Sequence, residues 1–395
     1  MNTLFLILLV TLSTDIGGFS DTSSVSGSTD GRFLPIYLPH PDIVYEGGFY
    51  INYAENYRHL NRFDNELLEH PESGISDASM PYAFTQTGMR IRFRTDSDSI
   101  RFIFKAREDA AQSSLRDAFG VYVFRTDVET RYEKFDNNSH QSFDTLDFIV
   151  ANVRNDKSTT PAEITVHLPT HFGVDLYSVE IREHANIFPL PEDNRDVYVA
   201  IGNSIAHGTG VESATPHTWP HLFAMYADVN LYNMAVAGAR SSWVIPSMLR
   251  GRKVDIITIS TGFNDWMWSD NSLNEASVRY AAMLDTLLIV QPEAEIWVIT
   301  PLVTTVEEPA MGAPFTLEAW RNEIERLVNI RQESANERLH LIHGPDFSEP
   351  GYLMDGVHLS RDGARSFARR LSDHIRYGWE LFELEFGCNV LDGDH

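Results

Sequence analysis

Residues 196–208 read DVYVAIGNSIAHG, and the fold follows from how this stretch is read. Val197 to Ile201 is a near-continuous apolar run without polar alternation, the pattern of a strand buried on both faces. It ends at Gly202, and Ser204 follows before a Gly-containing turn, so the serine hydroxyl should project at the top of a sheet. The same rhythm repeats downstream in VNLYNMAV (229–236), VDIITIST (254–261) and AEIWVITP (294–301). Helical patterns lie between and after them, near 217–227, 273–290, 316–335 and 361–374. Buried strands alternating with amphipathic helices predict an α/β parallel sheet covered on both faces, with a site at the strand C-terminal ends.

Upstream of Asn194 the period changes to two. MRIRFRT (89–95), SIRFIFKA (99–106), GVYVFRT (120–126), LDFIVANV (146–153), AEITVHL (162–168) and LYSVEIR (176–182) alternate apolar and polar residues between turn formers. This predicts an antiparallel β-sandwich. A chain of 395 residues exceeds the ~250–300 at which single cores stop growing, so two domains are expected. The boundaries are drawn at 1–31 for a leader and linker, 32–190 for the sandwich and 191–395 for the α/β domain.

Lys and Arg number 31 against 56 Asp and Glu, a formal charge of −25 spread along the chain. Such a surface repels polyphosphate, which argues against nucleic acid and anionic membrane as partners. A single cysteine, Cys388, permits no intramolecular disulfide and no Cys-based zinc site. Met1 to Leu12 is an apolar run too short to span a bilayer and of the length of a signal-peptide core, although it lacks a basic flank. A secreted or periplasmic protein is therefore expected. The Ser/Thr/Gly/Asp-rich residues 13–31 read as a flexible leader, and the sequon at Asn137 matters only in a eukaryotic secretory host.

Four segments carry candidate chemistry. Ser204 sits where a glycine allows a tight strand-to-helix turn and backbone N–H groups open toward developing negative charge; an N-cap serine is the plain alternative. Asp355 and His358 occur in one tight segment, DGVH, that can supply a base and the carboxylate that orients it. A surface histidine beside a turn aspartate is the alternative. Gly238 ends a strand where a backbone N–H can face a ligand, and Asn264 ends the next with a side-chain amide donor. Either could equally be an ordinary turn residue.

Together, in this order and each after a strand, these segments resemble the SGNH (GDSL-like) hydrolase superfamily over about residues 195–375. Its blocks of serine, glycine, asparagine and Asp-x-x-His are matched by Ser204, Gly238, Asn264, and Asp355 with His358. Gly173 to Tyr177 (GVDLY) is similar to the G-x-D-L-Y signature of an N-terminal β domain found with some bacterial SGNH esterases. The resemblance implies a three-layer, flavodoxin-like sheet domain preceded by a jelly-roll-like sandwich. It implies Ser204 as nucleophile, His358 as base, Asp355 as its partner, and an oxyanion hole from the Ser204 and Gly238 N–H groups and the Asn264 side chain. Neither metal nor cofactor is implied. One departure stands out: the family's usual Gly-Asp-Ser is Gly202-Asn203-Ser204 here, and Asn203 is expected to brace the loop without charge.

The expected substrate is a small acyl ester or an acetylated saccharide, because a sandwich paired with this domain resembles carbohydrate acetyl esterases. A lipolytic or thioester acylhydrolase and a non-catalytic carbohydrate-binding protein are the alternatives. Trp219 and Trp266, with Trp243 and Trp268 nearby, are candidate sugar-stacking residues against a reading as core. His207, His217 and Arg240 are read as ordinary loop residues, and oligomeric state is not legible.

Overall fold

The computed structural model describes residues 31–53, 58–111, 118–124, 131–136, 145–153, 160–211, 215–268, 271–333 and 337–377. The apolar run at Met1, the leader through residue 30, the Asn137 sequon and Cys388 lie outside them.

Two antiparallel sheets face each other in the N-terminal half. One orders β3 (Tyr50–Tyr53), β4 (Arg58–Asn61), β11 (Val174–Arg182), β6 (Ile100–Ala106) and β9 (Thr145–Val150), with β1 (Phe33–Pro35) also on β11. The other orders β12 (Ile187–Phe188), β5 (Arg90–Thr95), β10 (Ala162–His167), β7 (Ala118–Phe124) and β8 (Arg131–Asp136), with β2 (Val44–Glu46) on β5. The alternation read from the sequence sorts side chains as expected. Ile91 and Phe93 of β5 enter a core with Phe102, Phe104, Phe119 and Phe148, while Arg90 and Arg92 point away from it. Phe104 packs on Phe119 with ring centroids 4.5 Å apart.

The third sheet is parallel, ordered β14 (Asn230–Asn233), β13 (Val197–Gly202), β15 (Ile256–Ser260), β16 (Glu295–Ile299) and β17 (Leu339–Ile342). This is the 2-1-3-4-5 order of flavodoxin-like folds, whose ligands sit beyond the strand C-termini at the switch beside the first strand. Tyr198 and Ala200 of β13 enter one core and Val199 and Ile201 the other, which is why the run shows no polar alternation. Helices α4 (Trp219–Ala227) and α9 (Arg361–Tyr377) cover one face. On the other lie α5 (Val244–Ser247), α7 (Leu273–Val290) and α8 (Leu317–Glu333). A capping box starts α7, where Ser272 and Glu275 satisfy each other's backbone N–H groups.

The described residues of both halves belong to one compact unit that begins at Phe33. The joint includes two short helices between β4 and β5, α1 (Asn65–Leu68) and α2 (Met80–Ala83), whose sequence shows no periodicity. A charged joint lies nearby. Glu46 accepts from Arg90 and Arg92, Arg92 also reaches Glu163 and Asp193, and Arg90 crosses to Asn230 at the edge of the parallel sheet.

Candidate active site

Ser204 opens a one-turn helix, α3 (Ser204–His207), immediately after β13. The turn is tight enough that a Cβ on Gly202 would lie 2.6 Å from the Ala206 Cβ and 2.7 Å from the Ser260 Oγ, so a side chain does not fit there. Asn203 is the N-cap, and its Oδ1 accepts the Ile205 N–H at 3.0 Å. The amide thus performs the bracing that the family's aspartate was expected to perform, in a site only 1% exposed. A neutral cap at such depth avoids desolvating a charge.

From the far end of the chain, the Asp355–His358 segment folds back over α3. His358 Nε2 lies 2.9 Å from Ser204 Oγ, across 154 residues of sequence, and His358 Nδ1 lies 2.7 Å from Asp355 Oδ2. Because the carboxylate only accepts, the imidazole proton sits on Nδ1, and Nε2 accepts from the serine hydroxyl. Asp355 Oδ1 also receives the N–H groups of Val357 and His358, at 3.1 and 2.8 Å. Burial alone would raise the Asp355 pKa. The side-chain and backbone hydrogen bonds from His358 outweigh it and hold the carboxyl well below its usual range. The segment is anchored through Gly356, whose carbonyl accepts from Thr305 N at 3.0 Å and Thr304 Oγ1 at 2.8 Å.

Asn264 lies in the first turn of α6 (Phe263–Met267), after β15. One amide proton is donated to the Ala239 carbonyl at 2.9 Å, which fixes the side-chain plane and leaves the second proton to point elsewhere. The neighbouring Asp265, fully buried, receives the Ser241 N–H and hydroxyl, and burial raises its pKa. Both residues therefore tie α6 to the loop that carries Gly238. Gly238 has φ +84°, and a Cβ there would sit 2.1 Å from the Ser79 Oγ.

That contact exposes what the sequence reading missed: the sandwich half holds the Ser204 and Gly238 segments in place. Thr87 donates its hydroxyl to the His207 carbonyl at 2.8 Å, and Thr85 Oγ1 lies 3.0 Å from His207 Nε2. Gly74 receives the Arg240 N–H at 2.9 Å. The Arg62 guanidinium donates to the carbonyls of Thr85, Asn233, Ala235, Tyr82 and Ala83 at 2.7 to 3.5 Å. Burial among such dipoles pulls Arg62 down to about 9. Several kcal/mol are thereby committed to a cation whose hydrogen bonds fix the backbone leading to Gly238.

His171, on the loop before the GVDLY segment, hydrogen-bonds the Gly208 backbone and lies within the field of His358; burial lowers it to about 4. No spacing rule could have joined it to Ser204. Within GVDLY itself, Asp175 Oδ1 lies 2.9 Å from His59 Nδ1 and 3.9 Å from Arg107, tying sandwich strands together away from the serine.

Trp219 and Trp266 depart from expectation. They are 1% and 2% exposed; Trp219 packs edge-on against Phe367, and the Trp266 Nε1 donates to Phe315 O at 3.1 Å. Full burial leaves neither ring a face for a sugar. Trp268 is instead 54% exposed, and Trp243 is half-buried, donating to Glu72 at 2.8 Å. Among the described residues, no group of three or more His, Cys, Asp or Glu side chains is arranged to hold a metal ion.

Residues 200–365 match the family described as GDSL-like Lipase/Acylhydrolase. That match places a GDSL-like (SGNH) hydrolase segment in the α/β half of the chain. By class, this hydrolase acts on carboxylic esters. No curated protein sequence matches it. Among solved structures, it is similar to a salicylyl-acyltransferase from a tetracycline biosynthetic pathway, with TM-score 0.70, 16% identity and coverage of 90% of this chain and 98% of that one. A protein from Bacteroides ovatus described as a GDSL-like lipase aligns with TM-score 0.68 and 16% identity over 88% and 98% of the two chains. A family two carbohydrate esterase from Cellvibrio japonicus aligns with TM-score 0.58 and 14% identity over 89% and 100%. At such identities the likeness concerns the fold, and its coverage takes in the sandwich as well as the parallel sheet.

Proposed function

We propose that the hydrolase removes short acyl groups, acetyl above all, from carbohydrate esters, with Ser204 as nucleophile, His358 as base and Asp355 as the partner that orients it. The observation that carries this reading is the unbroken hydrogen-bonded path from Ser204 Oγ through His358 to Asp355, at 2.9 and 2.7 Å. In the reaction, Ser204 Oγ attacks the ester carbonyl while its proton passes to His358 Nε2. Asp355 keeps the Nδ1–H tautomer and stabilises the imidazolium. The tetrahedral oxyanion is received by the N–H groups of Ser204 and Gly238 and by the Asn264 amide proton not given to Ala239. Collapse expels the sugar oxygen, which takes the proton from His358, and leaves an acyl-enzyme. A water molecule deprotonated by His358 then attacks the acyl carbonyl, and the carboxylic acid leaves as Ser204 recovers its proton.

Carbohydrate ester as the substrate class is supported by the shared fold with a family two carbohydrate esterase and by an acidic surface suited to a neutral substrate. The reading includes an exported protein, consistent with the apolar run at Met1. Nitrophenyl esters from acetate to decanoate test the acyl preference, and acetate release from acetylated polysaccharides tests the carrier. Rates should peak at acetate and vanish in Ser204→Ala. A maximum at eight carbons or beyond replaces the acetyl reading with the lipolytic one, and wild-type turnover in Ser204→Ala removes the triad.

A further inference from the structure

The outer face of the second sandwich sheet, away from the Phe-rich core, forms the floor of a groove of about 810 Å³. Its register sets Arg92, Thr165 and Tyr122 side by side across β5, β10 and β7, with Glu163 and Phe124 paired one row further on. Tyr122 and Phe124 project from the same face of β7 with their rings stacked, 20° from parallel and 5.9 Å apart, so together they make a two-ring aromatic strip along the strand. Phe124 is 41% exposed, and across the groove on α4 Met225 is 55% exposed. An isolated exposed apolar side chain is ordinary. Two large ones on the walls of a polar-floored groove, one continuing a half-buried tyrosine ring, make a surface with an apolar strip and hydrogen-bonding groups beside it.

We propose that this groove binds a neutral oligosaccharide, one sugar ring lying on the Tyr122–Phe124 strip against Met225, with hydroxyls on Thr165 and Glu163. Aromatic faces carry negative charge that attracts the partly positive C–H face of a pyranose. Charge on the floor is already compensated: Arg92 is paired with Glu46, Glu163 and Asp193. His167 and His221, stacked edge to face at 4.6 Å, close the inner end without charge at neutral pH. Among the described residues lining the groove, Arg90 and Arg195 are paired as well, with Glu46 and Asp193, and the net charge of −25 opposes a uronate or a sulfated chain.

The groove's residues differ from those around Ser204. Linker residues Asp193 and Asp196 form its rim at the N-terminal end of β13, whereas Ser204 follows the C-terminal end, six residues of strand away or roughly 20 Å. Its Tyr122 end senses the charge of Arg361, just beyond His358. A bound chain thus runs from the linker toward the catalytic segment, which would keep an ester-bearing polymer at hand.

Isothermal titration of the wild-type chain with xylohexaose, cellohexaose and mannohexaose tests the site. At least one should bind saturably, and Phe124→Ala or Met225→Ala should weaken it roughly tenfold, the loss of one stacking contact. Thermal melts check folding. Should Phe124→Ala not melt cooperatively, Phe124→Leu retains apolar bulk without a ring and must show the same weakening. Absence of binding by all three hexaoses, equal affinity in the ring-deleted variants, or tighter binding of polygalacturonate overturns the proposal. So does loss of hexaose binding when a small phosphonate occupies Ser204. Nitrophenyl acetate turnover by the same preparation is read separately: hexaose binding without turnover removes the catalytic reading alone, and turnover without binding removes this site alone.

Discussion

The Thr87 hydroxyl of the sandwich donates to the carbonyl oxygen of His207 at 2.8 Å, at the end of the single helical turn that begins with Ser204. A helix of four residues is too short to be stable by itself. Its position is set by what holds its ends, which are Asn203 at the start and Thr87, Thr85 and His171 at the finish.

Thr87→Val removes that donor at nearly constant volume and leaves a buried carbonyl unpaired. We expect about 1–3 kcal/mol of lost stability and a fall in kcat of roughly tenfold, with KM little changed, because Ser204 is displaced and the outer cleft is not. Urea unfolding and steady-state kinetics on nitrophenyl acetate measure both. A variant with lower stability but wild-type kcat shows the bond to be structural only.

Asp355→Asn keeps the shape of the segment but offers a donor to Nδ1, favouring the wrong imidazole tautomer. Turnover should drop by ~10² to ~10⁴, toward the lower figure because the Asp355 side chain is 43% exposed and water can take part of its role. A loss under threefold argues that Asp355 does not orient His358.

Asn264→Ala should lower kcat by ~10²–10³ with KM nearly unchanged, since the role we propose for the amide is to act on charge that develops only in the transition state. Gly238→Ala should be comparably harmful for a steric reason, with its Cβ placed 2.1 Å from Ser79 Oγ. Adding Ser79→Gly makes room while φ remains at +84°, so the double variant should recover part of the activity. No recovery at all means the clash is not what disables Gly238→Ala.

Acid should loosen the fold through histidines buried neutral. His167, His207 and His221 are at most 4% exposed, and burial lowers all three, His221 to about 3. The unfolded chain therefore binds protons first as pH falls below about 6.5, so this stability is fully present above that value and is lost on the way down toward the folded-state values. Each residue contributes a slope of about 1.4 kcal/mol per pH unit within that window. Urea midpoints at pH 7 and pH 5 should differ clearly, and equal midpoints refute this account.

The parallel sheet was legible because doubly buried strands show as unbroken apolar runs: VYVAI and IITIS need no partner to be recognised. The four-residue strand Leu339–Ile342 went unread because it carries His340 on a half-buried face and is too short for a period to register. In the site, DGVH and its serine were visible as local patterns. Arg62, Thr87 and His171 were not, because their importance comes from where three separate loops meet and from no feature of their own neighbourhoods. The tryptophan reading failed for the converse reason. Trp219 and Trp266 are near Ser204 in sequence, but α4 and α6 turn those rings inward to fill space between helix and sheet.

Arg62 has a practical corollary for anyone seeking a minimal esterase. Cutting the chain at the linker before β13 would strip the carbonyls of Asn233 and Ala235 of their donor, and would uncover the surface where Gly88 abuts Asn233. Trimmed proteins beginning near residue 191 should therefore be insoluble or inert even though Ser204, Asp355 and His358 are all retained. Grafting this fragment onto a foreign partner should fail for the same reason.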